Sequence, residues 1–223
     1  SKTITEVSSR LAHEIRNPLA SAGGYARRLL SSMNPAAPER EKVQIIVNEV
    51  ARLEGILGMI LKSLQPLELR LERVDLKVLM QDVLSAIRPA VHDRGVQVDL
   101  ELPPGIPPIS ADRLKMGLAL QTLLRKAVSQ MPEAEVLNIS ISRDQKNCRI
   151  AVRYPVAEML PGDVEHFFYP FITPRTGYDT WDLPSAQILI HKHGGLIEVK
   201  SREAKKFFVD ISIPLAPPLN SSN

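Results

Sequence analysis

The sequence predicts an α+β chain: a helical hairpin that pairs with a second copy into a four-helix bundle, then an α/β sandwich with one mixed sheet. Three observations carry this. In the first third of the chain, apolar residues recur at alternating spacings of three and four. From residue 96 onward, runs of period-two alternation are interleaved with helical patterns. The 223 residues, 44% hydrophobic with a net charge of +3, suit one large domain or two small ones.

Residues 4–32 read as one helix with a seam of Leu11, Ile15, Pro18, Ala22, Tyr25 and Leu29. Pro18 should kink it, because proline lacks an N–H and crowds the preceding turn. Asn34, Pro35 and Pro38 break the pattern. A second helix is expected over 39–65, ended by Pro66, with a seam of Val43, Ile46, Val50, Leu53, Leu57, Ile60 and Leu64. A lone hairpin exposes too much apolar surface, so a homodimer is expected. The alternative is a monomer whose hairpin packs on the second domain, but one globular partner would struggle to cover two long seams.

Residues 66–73 read as a linker running into a short strand, and Asp75 as the N-cap of a helix to about residue 94. An alternating strand over 96–102 and a proline-rich loop over 103–108 follow. Asp112 caps a helix to about residue 130. Strands 136–143 and 148–154 form a hairpin, 155–184 is irregular, and 185–193 is a helix ended by Gly194 and Gly195. A last hairpin joins 196–200 to 207–214. The domains expected are 1–66, 67–215 and a disordered tail, 216–223.

Lysines and arginines are scattered, so nothing points to nucleic acid. The single cysteine, Cys148, excludes an internal disulfide and a cysteine-built zinc site. No apolar run approaches the roughly 20 residues of a membrane span. A cytoplasmic chain is expected, or the cytoplasmic part of a longer sensor, since the sequence begins abruptly within a helical pattern. His191 and His193 read as structural rather than metal-binding, and Phe167, Phe168 and Phe171 as core.

The stretch His13-Glu14-Ile15-Arg16-Asn17-Pro18-Leu19 concentrates the chemistry. A neutral imidazole nitrogen is a good nucleophile toward phosphorus. Glu14 can hold the ring tautomer or take its proton. Asn17, one turn from His13, can orient a water or a phosphoryl oxygen without adding charge. A lone His-Glu pair is more often an ordinary surface pair, but the proline and the hairpin partner accompany this one.

This stretch closely resembles the phosphoacceptor box of two-component sensor histidine kinases, and the resemblance extends over nearly the whole chain. It implies that His13 accepts phosphate and exchanges it with a response-regulator aspartate. Glu14 would be the acid/base partner, and Asn17 would position water for dephosphorylation of the regulator. The second domain resembles the family's ATP-binding fold, and Phe168-Tyr169-Pro170-Phe171 matches its aromatic box.

Several positions depart from that pattern. The family has asparagines where Thr122 and Lys126 stand, the second of them helping to bind magnesium, and an ammonium cannot ligate a cation. Tyr154-Pro155-Val156-Ala157-Glu158 lacks the family's adenine-reading aspartate and its glycines. The stretch from Tyr178 through Trp181 to Asp182 puts bulk and negative charge where glycines would close around phosphates.

The expectation is therefore a phosphotransfer protein, or a phosphatase of the regulator, with no cofactor. An active histidine kinase using Mg-ATP in a divergent pocket is one alternative. A non-catalytic dimeric scaffold that docks a receiver domain is another. Lys126 reads as a solvated surface lysine; the other reading lets it hold phosphate directly.

Overall fold

In a computed structural model the described residues are 2–64, 67–159, 162–165, 167–168, 182–201 and 205–217. Side chains are described for these except 2–10, 12–13, 59–60, 62–64 and 182. The chain divides into two units, residues 1–66 with 168–185, and residues 67–167 with 186–223.

The first unit is the helical hairpin. Helix α1 spans Lys2–Ser32 and helix α2 spans Arg40–Leu64. The helix assignment runs without a break through Pro18. Between the helices, the Asn34 side chain accepts the Ala36 N–H at 3.0 Å, the local turn chemistry that ends α1. The Arg40 guanidinium donates to the Leu30 carbonyl at 2.6 Å and the Met33 carbonyl at 3.2 Å, closing the exposed C-terminal end of α1.

The helices meet closely at Gly23, where a Cβ would stand 2.9 Å from Val50 Cγ1. Leu19 packs against buried Leu57 and Leu61. The face of α1 turned to α2 is therefore not the expected seam. Leu11, Ile15, Pro18, Ala22, Tyr25 and Leu29 are all exposed, Tyr25 at 67% and Leu29 at 53%. The α2 seam splits: Val50 and Leu57 are buried, whereas Ile46 and Leu53 are exposed. A three-four repeat identifies an apolar stripe, not which helix covers it.

In the second unit, strand β1 (Glu72–Val74) leads to helix α3 (Leu76–Asp93) and strand β2 (Gln97–Glu101). Strand β3 (Ile109–Ala111), helix α4 (Arg113–Gln130), strands β4 (Val136–Arg143) and β5 (Asn147–Pro155), the part of helix α5 (Asp182–Lys192) from residue 186 on, and strands β6 (Leu196–Lys200) and β7 (Lys206–Pro214) follow. Asp75 and Asp112 cap α3 and α4, each side chain accepting backbone N–H groups of the first turn.

Five of the described strands form a mixed sheet ordered β2-β4-β5-β7-β6, in which β2 runs parallel to β4 and the other neighbours are antiparallel; β1 and β3 pair separately. One face carries Leu137, Ile139, Ile150, Val152, Val209 and Ile211, all buried. Helices α3 and α4 contribute Leu79, Val83, Leu120 and Leu124 to the buried interior. This is the expected layered α+β arrangement.

Residues 109–111, unassigned from the sequence, are a strand paired antiparallel with β1. The start of the tail is held: the Leu215 N–H donates to Lys146 O at 2.9 Å and the Ala216 N–H to Pro108 O at 2.8 Å. Residues 218–223 of that tail lie outside the described residues.

Candidate functional site

His13 lies in α1, and its side chain is outside the described residues. Glu14, Arg16 and Asn17 are exposed on the same helix. Helical geometry sets His13 and Asn17 one turn apart on one face. Pro18 follows directly, and it cannot donate the usual helical bond to the residue four back. The turn thus offers a carboxylate and an amide to solvent beside the histidine position. That is suited to a reaction whose second participant arrives from outside the helix.

In the second unit, Thr122 and Lys126 are half-buried one turn apart on α4. Lys126 is not the solvated surface lysine expected. Burial lowers its pKa, while the Asp163 carboxylate acts in the opposite sense. An ammonium in that setting is a donor to anions and cannot be a metal ligand.

Tyr154 lies near the end of β5, facing the core. Its ring centroid is 5.6 Å from that of Phe207, which lies 5.5 Å from that of Phe167. The hydroxyl donates to Gln130 Oε1 at 3.1 Å. Burial pushes the phenol pKa well up, so Tyr154 stays a neutral donor. Asp182 is the first residue of α5, which starts three residues before the expected Ser185. Its side chain, like the whole of Tyr178 and Trp181, is outside the described residues.

Sequence reasoning missed one polar cluster. Asp112 Oδ2 accepts the Arg70 N–H at 3.1 Å and the Lys115 ammonium at 2.7 Å, and Oδ1 accepts the Lys115 N–H at 3.1 Å. Burial alone would raise the Asp112 pKa. The bonds from Lys115 and from the Arg70 amide outweigh it and hold the carboxyl at about 2. Buried His193 accepts the Asp112 N–H on Nε2 at 3.0 Å. The signal was only half visible: Asp112 announced a cap, but His193 is 81 residues away.

Residues 3–63 match the model of the His Kinase A (phospho-acceptor) domain. The match supports a two-component sensor histidine kinase. The sensor histidine kinase ZraS of Escherichia coli (strain K12) is 24% identical over 209 residues, covering 94% of this chain and 45% of ZraS. The sensory histidine kinase/phosphatase NtrB of Rhizobium meliloti (strain 1021) is 25% identical over 224 residues, covering 93% of this chain and 58% of NtrB. The chain thus spans about half the length of such relatives.

The fold agrees with solved kinases. Full-length ShkA in complex with AMPPNP matches at a TM-score of 0.62 and 21% identity, over 96% of this chain and 46% of ShkA. The catalytic domain of histidine kinase ThkA matches at a TM-score of 0.58 and 21% identity, over 66% of this chain and 99% of that domain. Among the described residues no helix is long and apolar enough to cross a membrane.

Proposed function

We propose that this histidine kinase chain carries phosphate on His13 to or from a receiver-domain aspartate, or strips it from the regulator, without using Mg-ATP. The observation that carries the reading is the exposed Glu14–Asn17 turn of α1, within the stretch matched to a phospho-acceptor domain. In the forward step the bare ring nitrogen of His13 attacks the phosphorus of an aspartyl phosphate. The N–P bond forms as the O–P bond breaks, the aspartate leaves as a carboxylate, and the proton on the other ring nitrogen passes to Glu14. Asn17 orients the phosphoryl oxygens; with a water in place of the ring it orients the water, and the outcome is dephosphorylation.

The residues standing at the nucleotide positions do not fit Mg-ATP. Tyr154 fills its place with a ring packed at a tilt beside Phe207 and a hydroxyl bound to Gln130, where an acceptor for an adenine amino group is needed. Lys126 offers a donor where a cation needs an oxygen ligand. No step of the proposed reaction runs through the nucleotide.

The open faces of α1 and α2 support a homodimer. Exposed Leu11, Ile15, Tyr25 and Leu29, with Ile46 and Leu53, are the apolar complement a second hairpin would cover in a four-helix bundle. The receiver would dock on the hairpin, since transfer needs donor and acceptor in near-attack alignment.

The test is incubation of the purified chain with a phosphorylated receiver domain and, separately, with labelled Mg-ATP. Label moving from the receiver to the chain, stable to base, labile to acid and lost in His13→Gln, supports the proposal. Faster release of free phosphate from the receiver, lost in Asn17→Ala, supports its phosphatase form. Labelling of His13 from Mg-ATP overturns the nucleotide-free reading in favour of an autokinase, a reading helped by the fold shared with AMPPNP-bound ShkA. If neither source labels the chain and the receiver keeps its phosphate, a docking scaffold replaces both.

A further inference from the structure

The mixed sheet ends on two unlike edges. Strand β6 closes one side and carries charges of both signs, with the Lys200 ammonium donating to the Glu198 carboxylate. Strand β2 closes the other side, and among the described residues it pairs only with β4. The Gln97 N–H donates to Glu135 O at 2.9 Å, on the β4 side. Backbone groups alternate in direction along a strand, so Gln97, Asp99 and Glu101 bond toward β4. The N–H and C=O groups of Val98 and Leu100 therefore point to the open edge, where they form a template for one more strand.

The two faces of β2 are unfinished in a complementary way. Inward residues of its neighbour β4 are buried, Leu137 at 0% and Ile139 at 1% exposure, whereas inward Val98 and Leu100 are only half-buried. Leu100 and Leu102 line a cavity of about 420 Å³ together with Leu76 at the start of α3 and Ile106, bordered also by Lys77 and Gln81. On the outer face, exposed Asp99 and Glu101 hold no side-chain hydrogen bond or ion pair among the described residues. Their neighbours across on β4, Asn138 and Ser140, are uncharged. Arg153, the next residue in the row of Asp99 and Asn138, has its guanidinium over the Phe208 ring at 6.0 Å.

We propose that the open edge of β2 accepts an extended segment of a partner protein in which apolar residues alternate with lysine or arginine. The segment's backbone bonds to Val98 and Leu100. Its apolar side chains turn inward over Val98 and Leu100 toward the cavity, and its cations lie opposite Asp99 and Glu101. The acidic outer row selects β2 over β6, where Glu198 already has Lys200. This interaction surface goes beyond phosphotransfer and does not rest on it.

The test is titration of the whole chain with the peptide acetyl-Lys-Val-Lys-Val-Lys-amide, followed by nitrogen-15 NMR and amide hydrogen exchange. At saturation the Val98 and Leu100 amides should gain about tenfold or more in protection, while Gln97 and Asp99, already bonded toward β4, change less. Asp99→Lys with Glu101→Lys should weaken binding about tenfold, and acetyl-Glu-Val-Glu-Val-Glu-amide should not bind wild type. Val98→Pro removes one edge donor without touching the β4 ladder, so binding should be lost. No binding at about 5 mM peptide would overturn the proposal. So would binding that leaves Val98 and Leu100 unprotected, or equal binding of the acidic peptide. Protection already present in the free chain would mean that the chain fills its own edge. Protection that grows with chain concentration alone would assign the edge to a second copy. Either result also overturns the proposal. Should Val98→Pro not fold, the double charge reversal, which alters only exposed side chains, decides.

Discussion

The hairpin and the second unit treat their apolar residues in opposite ways. In the second unit the residues that alternate inward are covered by α3 and α4, down to Ile150 at 1% exposure. In the hairpin the seam residues of α1 face outward, and the two helices touch through a different line of Leu19, Gly23, Val50, Leu57 and Leu61. One region completes its core from its own chain. The other builds half a core and presents the remainder. That would suit the proposed exchange of phosphate with a receiver domain docking on the helix.

The largest effect should come from charging the open face. Leu29→Glu with Leu53→Glu should leave no dimer in sedimentation equilibrium while the melting of the second unit is unchanged, because like charges would face each other across an apolar bundle. A wild-type chain that is monomeric with a stable hairpin would break the comparison.

A core truncation sharpens the other side. Ile150→Ala should cost the second unit about 3 kcal/mol in denaturant unfolding, within the range for buried aliphatic deletions. Leu29→Ala should leave that same transition where it is, since the residue lies outside that core.

A smaller change is expected at the cap of α4. Asp112→Ala should cost about 2 kcal/mol, from the lost cap and the unpaired Arg70 N–H. The Asp112 carboxyl is held at about 2, below the ordinary aspartate. Its contribution is therefore fully present above about pH 4 and is lost as pH falls toward the folded value. Acid unfolding of wild type and Asp112→Ala should converge at the low end; parallel curves would show that the carboxylate contributes nothing through its charge.

Local chemistry explains what could be read in advance. Asp75 and Asp112 announce caps because a cap is satisfied within its own turn. The hairpin of β4 and β5 shows as alternation closed by a turn in which Asp144 accepts the Lys146 and Asn147 amides. Strand β3 escaped, since its three residues are defined by pairing with β1, far away in sequence. Lys126 passed for a surface residue because its covering comes from elsewhere in the chain. The grouping of His13, Glu14 and Asn17 was legible for the opposite reason: these residues share one helical turn.

By itself the sequence determined the two helices and their apolar stripes, the mixed α+β layer, and the caps of α3 and α4. All of these follow from periodicity or from neighbours within a few residues. The tertiary structure alone decided which stripe of α1 faces α2, that Tyr154 is sealed against Phe207, and that His193 meets the Asp112 amide. Those depend on residues brought together by packing, and no local pattern encodes which distant group will complete a hydrogen bond or cover a ring.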